Sequence, residues 1–260
     1  KPLDMAKIKT ELFILSMLDA TKKNTTLKGQ VYGLPHIWGT DGLVVNTKLA
    51  QMADYPDLCK PQYKGKTSVR LKRPTLLAFA FASGKDPFAL YGDAKAYAAL
   101  MDEVGKTLAA CKGNIKFFWD NKDQLLNGVR TGEIVGAMMW DTGGWKLNGE
   151  NPEIQYIAPK SGALGWIDTF GLPAKGRNDA AAYAWIKFNL RPETAAKVAG
   201  SAGNFTASKG ADQLMDAKLK AQFAKSFPEA ALKNVKWYPA VPPGIEDIEG
   251  KVLDRVKAAK

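Results

Sequence analysis

The run Ile134-Val-Gly-Ala-Met-Met-Trp140 contains no polar side chain, and it constrains the fold more than any other stretch. A strand with one face in water alternates apolar and polar residues. An unbroken apolar strand instead suits a parallel sheet covered on both faces. The neighbouring segments agree. Lys66-Thr-Ser-Val-Arg-Leu71 follows the turn-like Tyr63-Lys-Gly65 and reads as a strand. An apolar helix, Leu76 to Ala82, follows Pro74, with proline in the first turn where its missing N–H costs nothing. Asp93 to Ala110 has helical periodicity, with Tyr97, Leu100, Val104 and Leu108 on one stripe. Ile115 to Trp119 is the next strand and Asp123 to Val129 a short helix. Alternating strands and helices specify an α/β fold.

Toward the amino terminus, Glu11 to Leu18 is helix-like and Gly29 to Pro35 is a punctuated strand. His36 to Asn46 continues extended but is broken by Gly39 and Gly42, where backbone can bend without steric cost. Past Pro173 the character turns helical, over Asn178 to Leu190, Glu193 to Gly200 and Leu214 to Lys225. Gly203 to Thr206 reads as a loop. Trp237 to Gly244 carries three prolines and is excluded from regular structure. The tail from Ile245 repeats apolar residues at Ile248, Val252 and Val256 and should dock as a helix.

The 260 residues allow one large domain or two ordinary ones, and 46% hydrophobic content is enough for a core. No run approaches the ~18 to 20 apolar residues of a membrane span. No amino-terminal apolar signal segment is present, so the chain reads as a mature or trimmed product. A net charge of +11 raises the question of nucleic acid. The basic residues are scattered, however, and no nucleic-acid motif accompanies them, so nucleic acid is not the expected partner. Cys59 and Cys111 are too few for zinc; they are either free thiols or one disulfide, which would imply an oxidising compartment.

Catalytic motifs are weak. His36, the single histidine, lies in an apolar stretch and reads as structural. Asp141 and Asp168 both follow apolar strands, but nothing in the sequence brings two carboxylates to one cleft. Asp141-Thr-Gly-Gly-Trp145 is glycine-rich without the phosphate-loop lysine pattern. No catalytic residue, metal ligand or cofactor is expected. The stronger signal is Gly162-Ala-Leu-Gly-Trp-Ile-Asp-Thr-Phe-Gly-Leu-Pro173, a strand placing Trp166 and Asp168 two apart and hence on one face. An aromatic wall beside an anion is what recognition of an organic cation requires. Trp38, Trp119, Trp140, Trp145 and Trp237 also lie at or near strand ends or loops. In open α/β sheets, ligands settle beyond the carboxyl ends of the strands.

Four stretches together resemble a known family. They are Tyr32-Gly-Leu-Pro-His-Ile-Trp-Gly-Thr40 with Asn46; Leu58-Cys-Lys-Pro-Gln-Tyr-Lys-Gly65; Gly132 to Trp140; and Pro159-Lys-Ser-Gly162 through Trp166-Ile-Asp168 and Asn189-Leu-Arg-Pro192 to Gly203-Asn-Phe-Thr206. The chain resembles the periplasmic solute-binding proteins of bacterial ABC importers, specifically the spermidine/putrescine (polyamine)-binding group. The resemblance implies a two-lobe α/β fold, class II, with solute held in a cleft between lobes. One lobe would take 1–37 and 167–212, the other 43–161 and 218–260, with hinges near 38–42 and 162–166. It further implies capture of a small amine-containing or zwitterionic solute in the periplasm and delivery to an ABC transporter permease, through which alone the membrane is engaged. An enzyme on the same scaffold, or a basic protein acting on nucleic acid or membrane surface, are the competing readings.

Two departures from the family follow. The family begins with additional strands and helices that have no counterpart here, so the first lobe is expected to be incomplete and scarcely able to bury a full core. Its acidic pair after the strand matching Thr67 to Leu71 is replaced by Lys72 and Thr75, flanked by Arg70 and Arg73. A cation there would repel an ammonium, so Lys72 or Arg70 is expected to take an anionic group of the solute. Asn204 stands where a tyrosine is expected, and Tyr238 where an amide is. The expected lining is therefore Trp166, Asp168, Trp140, Trp38, Trp119, Lys72, Asn204 and Tyr238.

Overall fold

A computed structural model describes residues 1–259. The chain divides into two compact units. One comprises Lys1–Gly39 and Gly165–Ala224; the other comprises Thr40–Leu164 and the chain from Lys225 on.

In chain order the first unit opens with α1 (Leu15–Thr25), then the two-residue strands β1 (Thr26–Leu27) and β2 (Gln30–Val31), which pair antiparallel. Strand β3 (Leu34–Asn46) is continuous. Gly39 and Gly42 do not break it, contrary to the bend expected from sequence. Both are glycine because something packs where a side chain would stand. A Cβ at Gly39 would lie 2.4 Å from Trp166, and one at Gly42 would lie 2.4 Å from the Tyr156 hydroxyl. The glycines serve close approach rather than bending.

The second unit continues with β4 (Thr67–Val69), α2 (Arg73–Ala82), α3 (Ala94–Cys111), β5 (Ile115–Phe118), α4 (Lys122–Thr131) and β6 (Gly136–Trp140). The side chain of Asp93 caps α3 by accepting from the N–H groups of Lys95 and Ala96, and Asn121 does the same for α4 at Asp123 and Gln124. Gly132 ends α4 in the left-handed region, at φ 77°. Helix α5 (Asp141–Glu150) and strand β7 (Ile154–Ile157) follow, both absent from the sequence reading. Glycines 143 and 144 lower intrinsic helicity but admit Met139 and Tyr156 at distances a Cβ would forbid.

Strands β4, β5 and β6 are parallel, whereas β3 runs antiparallel to both β6 and β7. The apolar strand over 134–140 thus sits between a parallel and an antiparallel neighbour. The core on one face of this sheet joins Leu43 and Val45 of β3 to Leu76 and Leu77 of α2, Leu100 and Val104 of α3, and Val252 and Val256 near the chain's end.

Strand β8 (Leu164–Phe170) leads into α6 (Asp179–Asn189), α7 (Pro192–Ala202), β9 (Phe205–Thr206), α8 (Ala211–Leu214) and α9 (Ala217–Ser226). The first unit buries its own core, in which Leu3, Phe13, Leu18 and Leu34 meet Leu172, Tyr183, Ile186 and Leu190. The second unit closes with α10 (Glu229–Lys233), β10 (Lys236–Trp237) and α11 (Ile245–Ala258). Helix α11 packs on α3, where Gly105 admits Val252 at a distance no Cβ would allow. Buried Glu249 of α11 accepts from Arg73 Nε at 2.8 and 3.0 Å and from the Tyr97 hydroxyl at 2.6 Å. Cys59 and Cys111 form a disulfide, which settles the alternative the sequence leaves open.

Candidate functional site

In the second unit the parallel strands β4, β5 and β6 end at Val69, Phe118 and Trp140. The residues directly beyond, Arg70 and Trp119, converge with Trp140. The two indoles meet edge to face, 5.1 Å apart at 86°. The Arg70 guanidinium lies 5.1 Å from the Trp140 ring and 5.5 Å from that of Trp119. A cation over an aromatic face is attracted by the ring quadrupole. The face of Trp140 expected to wall a solute cation therefore already carries a cation of the protein itself.

Trp119 is 1% exposed and donates its indole N–H to the Met138 carbonyl at 3.0 Å. It supports Trp140 from behind and has no face left to line a solute. Lys72 is exposed and its ammonium lies 3.5 Å from Asp120, with Arg70 Nε 3.9 Å from the same carboxylate. The expected anion-accepting pair thus faces an anion of the protein. Tyr238 is half-buried and meets Phe88 edge to face, with ring centroids 6.2 Å apart.

The same strand ends bring together two carboxylates. Asp41 of β3 is in register with Trp140 of β6. Asp141 is fully buried and accepts three hydrogen bonds, from Thr40 N (2.7 Å), Thr40 Oγ1 (2.9 Å) and Thr142 N (2.7 Å). Thr40 Oγ1 also meets the Tyr156 hydroxyl at 2.8 Å. Asp41 is 6% exposed, and among the described residues its carboxylate has no hydrogen-bond or ion-pair partner. Burial pushes both acids up to about 7; the charge of Asp141 raises Asp41 further and Arg70 opposes it. The donors on Asp141 favour its charged form and offset part of the rise that burial causes. A sequence signal for Asp41 existed: an acid directly before the apolar run Gly42 to Val45, inside a strand, needs a reason to be there.

In the first unit, Trp166 and Asp168 of β8 are two residues apart as expected. Trp166 is half-buried against Gly39, and among the described residues its buried indole N–H has no hydrogen-bond acceptor. Asp168 is exposed and makes no hydrogen bond or ion pair among the described residues, although it lies close enough to His36 to oppose the lowering of that imidazole by burial. His36 packs its ring on Phe170, 4.2 Å centroid to centroid. Trp38 is buried and stacks at a tilt on Phe205, 4.8 Å away, while Asn204 next to it is buried as well. Trp38 and Asn204 thus sit in packing, whereas Trp166 and Asp168 keep exposed surface.

A depression of about 660 Å³ in the second unit lies at the other ends of the strands, around Thr47, Lys48, Lys60 and Lys66. It contains none of the residues above. Among the described residues no group of three or more histidine, cysteine or acidic side chains is placed to hold a metal ion. Among the described residues no helix is long and apolar enough to cross a membrane.

A family model described as bacterial extracellular solute-binding protein matches residues 2–226. The spermidine/putrescine-binding periplasmic protein of Escherichia coli K12 is 29% identical over 211 residues, covering 79% of this chain and 58% of that protein. The spermidine/putrescine-binding periplasmic protein 1 of Haemophilus influenzae is 27% identical over 266 residues, covering 100% of this chain and 70% of that one. The chain therefore spans little more than half the length of the first of these relatives. Among solved structures, a spermidine/putrescine ABC transporter substrate-binding protein from Streptococcus pneumoniae matches with a TM-score of 0.80 at 22% identity, over 99% of this chain and 77% of that one. That likeness establishes the fold: the mixed α/β architecture is that of the periplasmic binding proteins.

Proposed function

We propose, because the chain belongs to the bacterial extracellular solute-binding protein family, that it captures a small amine-bearing solute in the periplasm and hands it to the permease of an ABC importer. The family is one of extracellular solute-binding proteins, which supports binding rather than catalysis as its work. The Cys59–Cys111 disulfide agrees with an oxidising compartment. The work of such a protein is binding, closure and release, without covalent chemistry.

The observation that carries the reading is the pair on β8. Trp166 is held half-buried against Gly39, and Asp168, on the same strand face, offers an exposed carboxylate. An indole face beside a free acid suits an alkylammonium, whose methylenes lie on the ring while its charge meets the anion. In the same unit, the more deeply packed Trp38 and Asn204 are proposed to support the pair. The anionic solute end expected from Lys72 and Arg70 loses support, because both already face Asp120 and Arg70 is seated on indoles. A polyamine is thereby favoured over a zwitterion, in keeping with the names of the two periplasmic relatives.

The test is a thermal-shift screen of putrescine, spermidine, amino acids and aminophosphonates, followed by calorimetry on Asp168→Asn. Stabilisation by an amine is expected, with a loss of at least ~2 kcal/mol in the variant. Stabilisation by anions alone, or unchanged affinity in the variant, contradicts the reading.

A further inference from the structure

We propose that the depression at the amino ends of β4 and β6 is a further binding site of this chain, and that it takes a phosphate monoester on three lysines. It lies wholly within the second unit, shares no residue with the amine site proposed above and does not depend on it.

The backbone around the depression is fixed by the sheet. Strand β3 ends at Asn46, whose N–H donates to the Val135 carbonyl at 3.0 Å, and the Val135 N–H donates in turn to the Lys66 carbonyl at 2.8 Å. Lys66 directly precedes β4 and Val135 directly precedes β6, so three strand ends hold the backbone that carries the Lys66 side chain. The segment bearing Lys60 is fastened as firmly. The Lys60 carbonyl accepts from the Asn114 amide at 2.6 Å, and Lys60 follows Cys59 of the disulfide. Buried Tyr63 donates its hydroxyl to the Gln51 carbonyl at 3.1 Å and accepts from the Gln51 N–H at 3.0 Å. Lys48 stands in the turn after β3, where the Asn46 side chain accepts from its N–H at 3.2 Å.

The side chains give the place its chemistry. Lys48, Lys60 and Lys66 all line the depression, and among the described residues no acid does. The acids nearby stand outside the lining and are already engaged. Asp57 lies 2.8 Å from Lys60 and also accepts from two backbone N–H groups, and Glu133 lies 3.2 Å from Lys116. Glu153 lies 3.8 Å from Lys48, but both are exposed, and such a pair is weak and readily exchanged. The Lys66 ammonium has no ion-pair or hydrogen-bond partner among the described residues. Size and charge then select the ligand. A volume of about 660 Å³ falls within the ~300–1,000 Å³ of small-molecule sites, so a lone monatomic anion would leave most of it unfilled. Lysine binds phosphate as a compact point charge. A phosphate monoester carries nearly two negative charges and three strong acceptor oxygens, which suits three ammonium groups better than the single charge of a carboxylate. Leu49, an apolar side chain left 51% exposed, lines the same depression and offers contact to the carbon part of the ester. That headgroup chemistry belongs equally to a free ester and to a lipid.

Two probes distinguish those sources, both at a constant ionic strength of about 150 mM. Calorimetric titration with glycerol 3-phosphate reads the free ester, and flotation with phosphatidylcholine vesicles carrying phosphatidic acid reads the lipid. Binding is expected in at least one of the two, weakened about tenfold by Lys66→Gln and weakened also by Lys48→Gln. Lys187→Gln, an exposed lysine on α6 of the other unit, should leave it unchanged. Binding of glycerol 3-phosphate assigns the site to a free ester, and binding of the vesicles alone assigns it to the lipid. Binding of neither probe overturns the proposal. So does binding that Lys66→Gln leaves unchanged, or that Lys66→Gln and Lys187→Gln weaken equally, as a diffuse basic surface would give. Competition by acetate as effective as by the ester overturns the phosphate class. Near-ultraviolet circular dichroism of Lys66→Gln matching wild type separates lost recognition from lost folding. If that variant does not fold, the Lys48→Gln and Lys60→Gln double variant replaces it, and unchanged binding there overturns the proposal as well. Putrescine affinity should be the same in Lys66→Gln as in wild type, and failure of wild type to bind any amine contradicts the amine-binding reading while leaving this site standing.

Discussion

Two buried carboxyls that hold protons more tightly in the folded chain than in the unfolded one make stability fall as pH rises. Asp41 and Asp141 are raised to about 7, against an unfolded value near 4. The stability they confer is complete below the unfolded value and is lost as pH climbs through the folded one. The melting temperature is therefore expected to be higher at pH 5 than at pH 8, and Asp41→Asn should flatten the trend; a rise in melting temperature toward pH 8 contradicts it. Gly39 gives a second prediction at this scale. Gly39→Ala should cost about 1–3 kcal/mol, because its Cβ would lie 2.4 Å from Trp166, and should alter the near-ultraviolet circular dichroism. Unchanged stability and spectrum would show that the indole is not held there. Trp166 and Asp168 were legible as a pair from their spacing. The role of Gly39 was not, because a glycine needed for contact with a distant residue looks in sequence like one needed for a bend. Asp41 was overlooked because an isolated acid in a strand carries no spacing pattern, only an anomalous burial.

At the scale of elements, the periodic helices were legible. The stripe of Tyr97, Leu100, Val104 and Leu108 is the buried face of α3, and the tail repeat docks as α11. What periodicity does not show is how the two are fastened. Glu249 on α11, itself 3% exposed, receives the Arg73 guanidinium and the Tyr97 hydroxyl. Removing one side of a buried, hydrogen-bonded ion pair leaves the other charge uncompensated, which costs about 3–5 kcal/mol. Glu249→Ala is expected to show a loss of that size in urea unfolding. A loss below about 1 kcal/mol would mean that α11 is held by its apolar stripe alone. Helix α5 escaped the sequence reading for a related reason. Its glycines argue against a helix, and only the proximity of Met139 and Tyr156 explains them.

For the whole molecule, the α/β class followed from the alternation of strands and helices, and the family resemblance from four separated stretches; both hold. The pairing of Cys59 with Cys111 was open because spacing says nothing of proximity across 52 residues. Closing a loop of that length restricts the unfolded chain by about 4 kcal/mol on the chain-entropy account. Reduction, or the double Cys59→Ser and Cys111→Ser variant, should lower the unfolding midpoint accordingly, and a midpoint that does not move would show that the bond contributes nothing to stability. Capture of a small amine, without turnover and without a diffuse basic surface doing the binding, remains the claim on which the account turns. Calorimetric titration of putrescine at two salt concentrations tests it most directly. One saturable site per chain, with affinity changing little between about 50 and 200 mM salt, is the predicted result. No binding, or affinity that collapses with salt as polyelectrolyte contacts do, would contradict it.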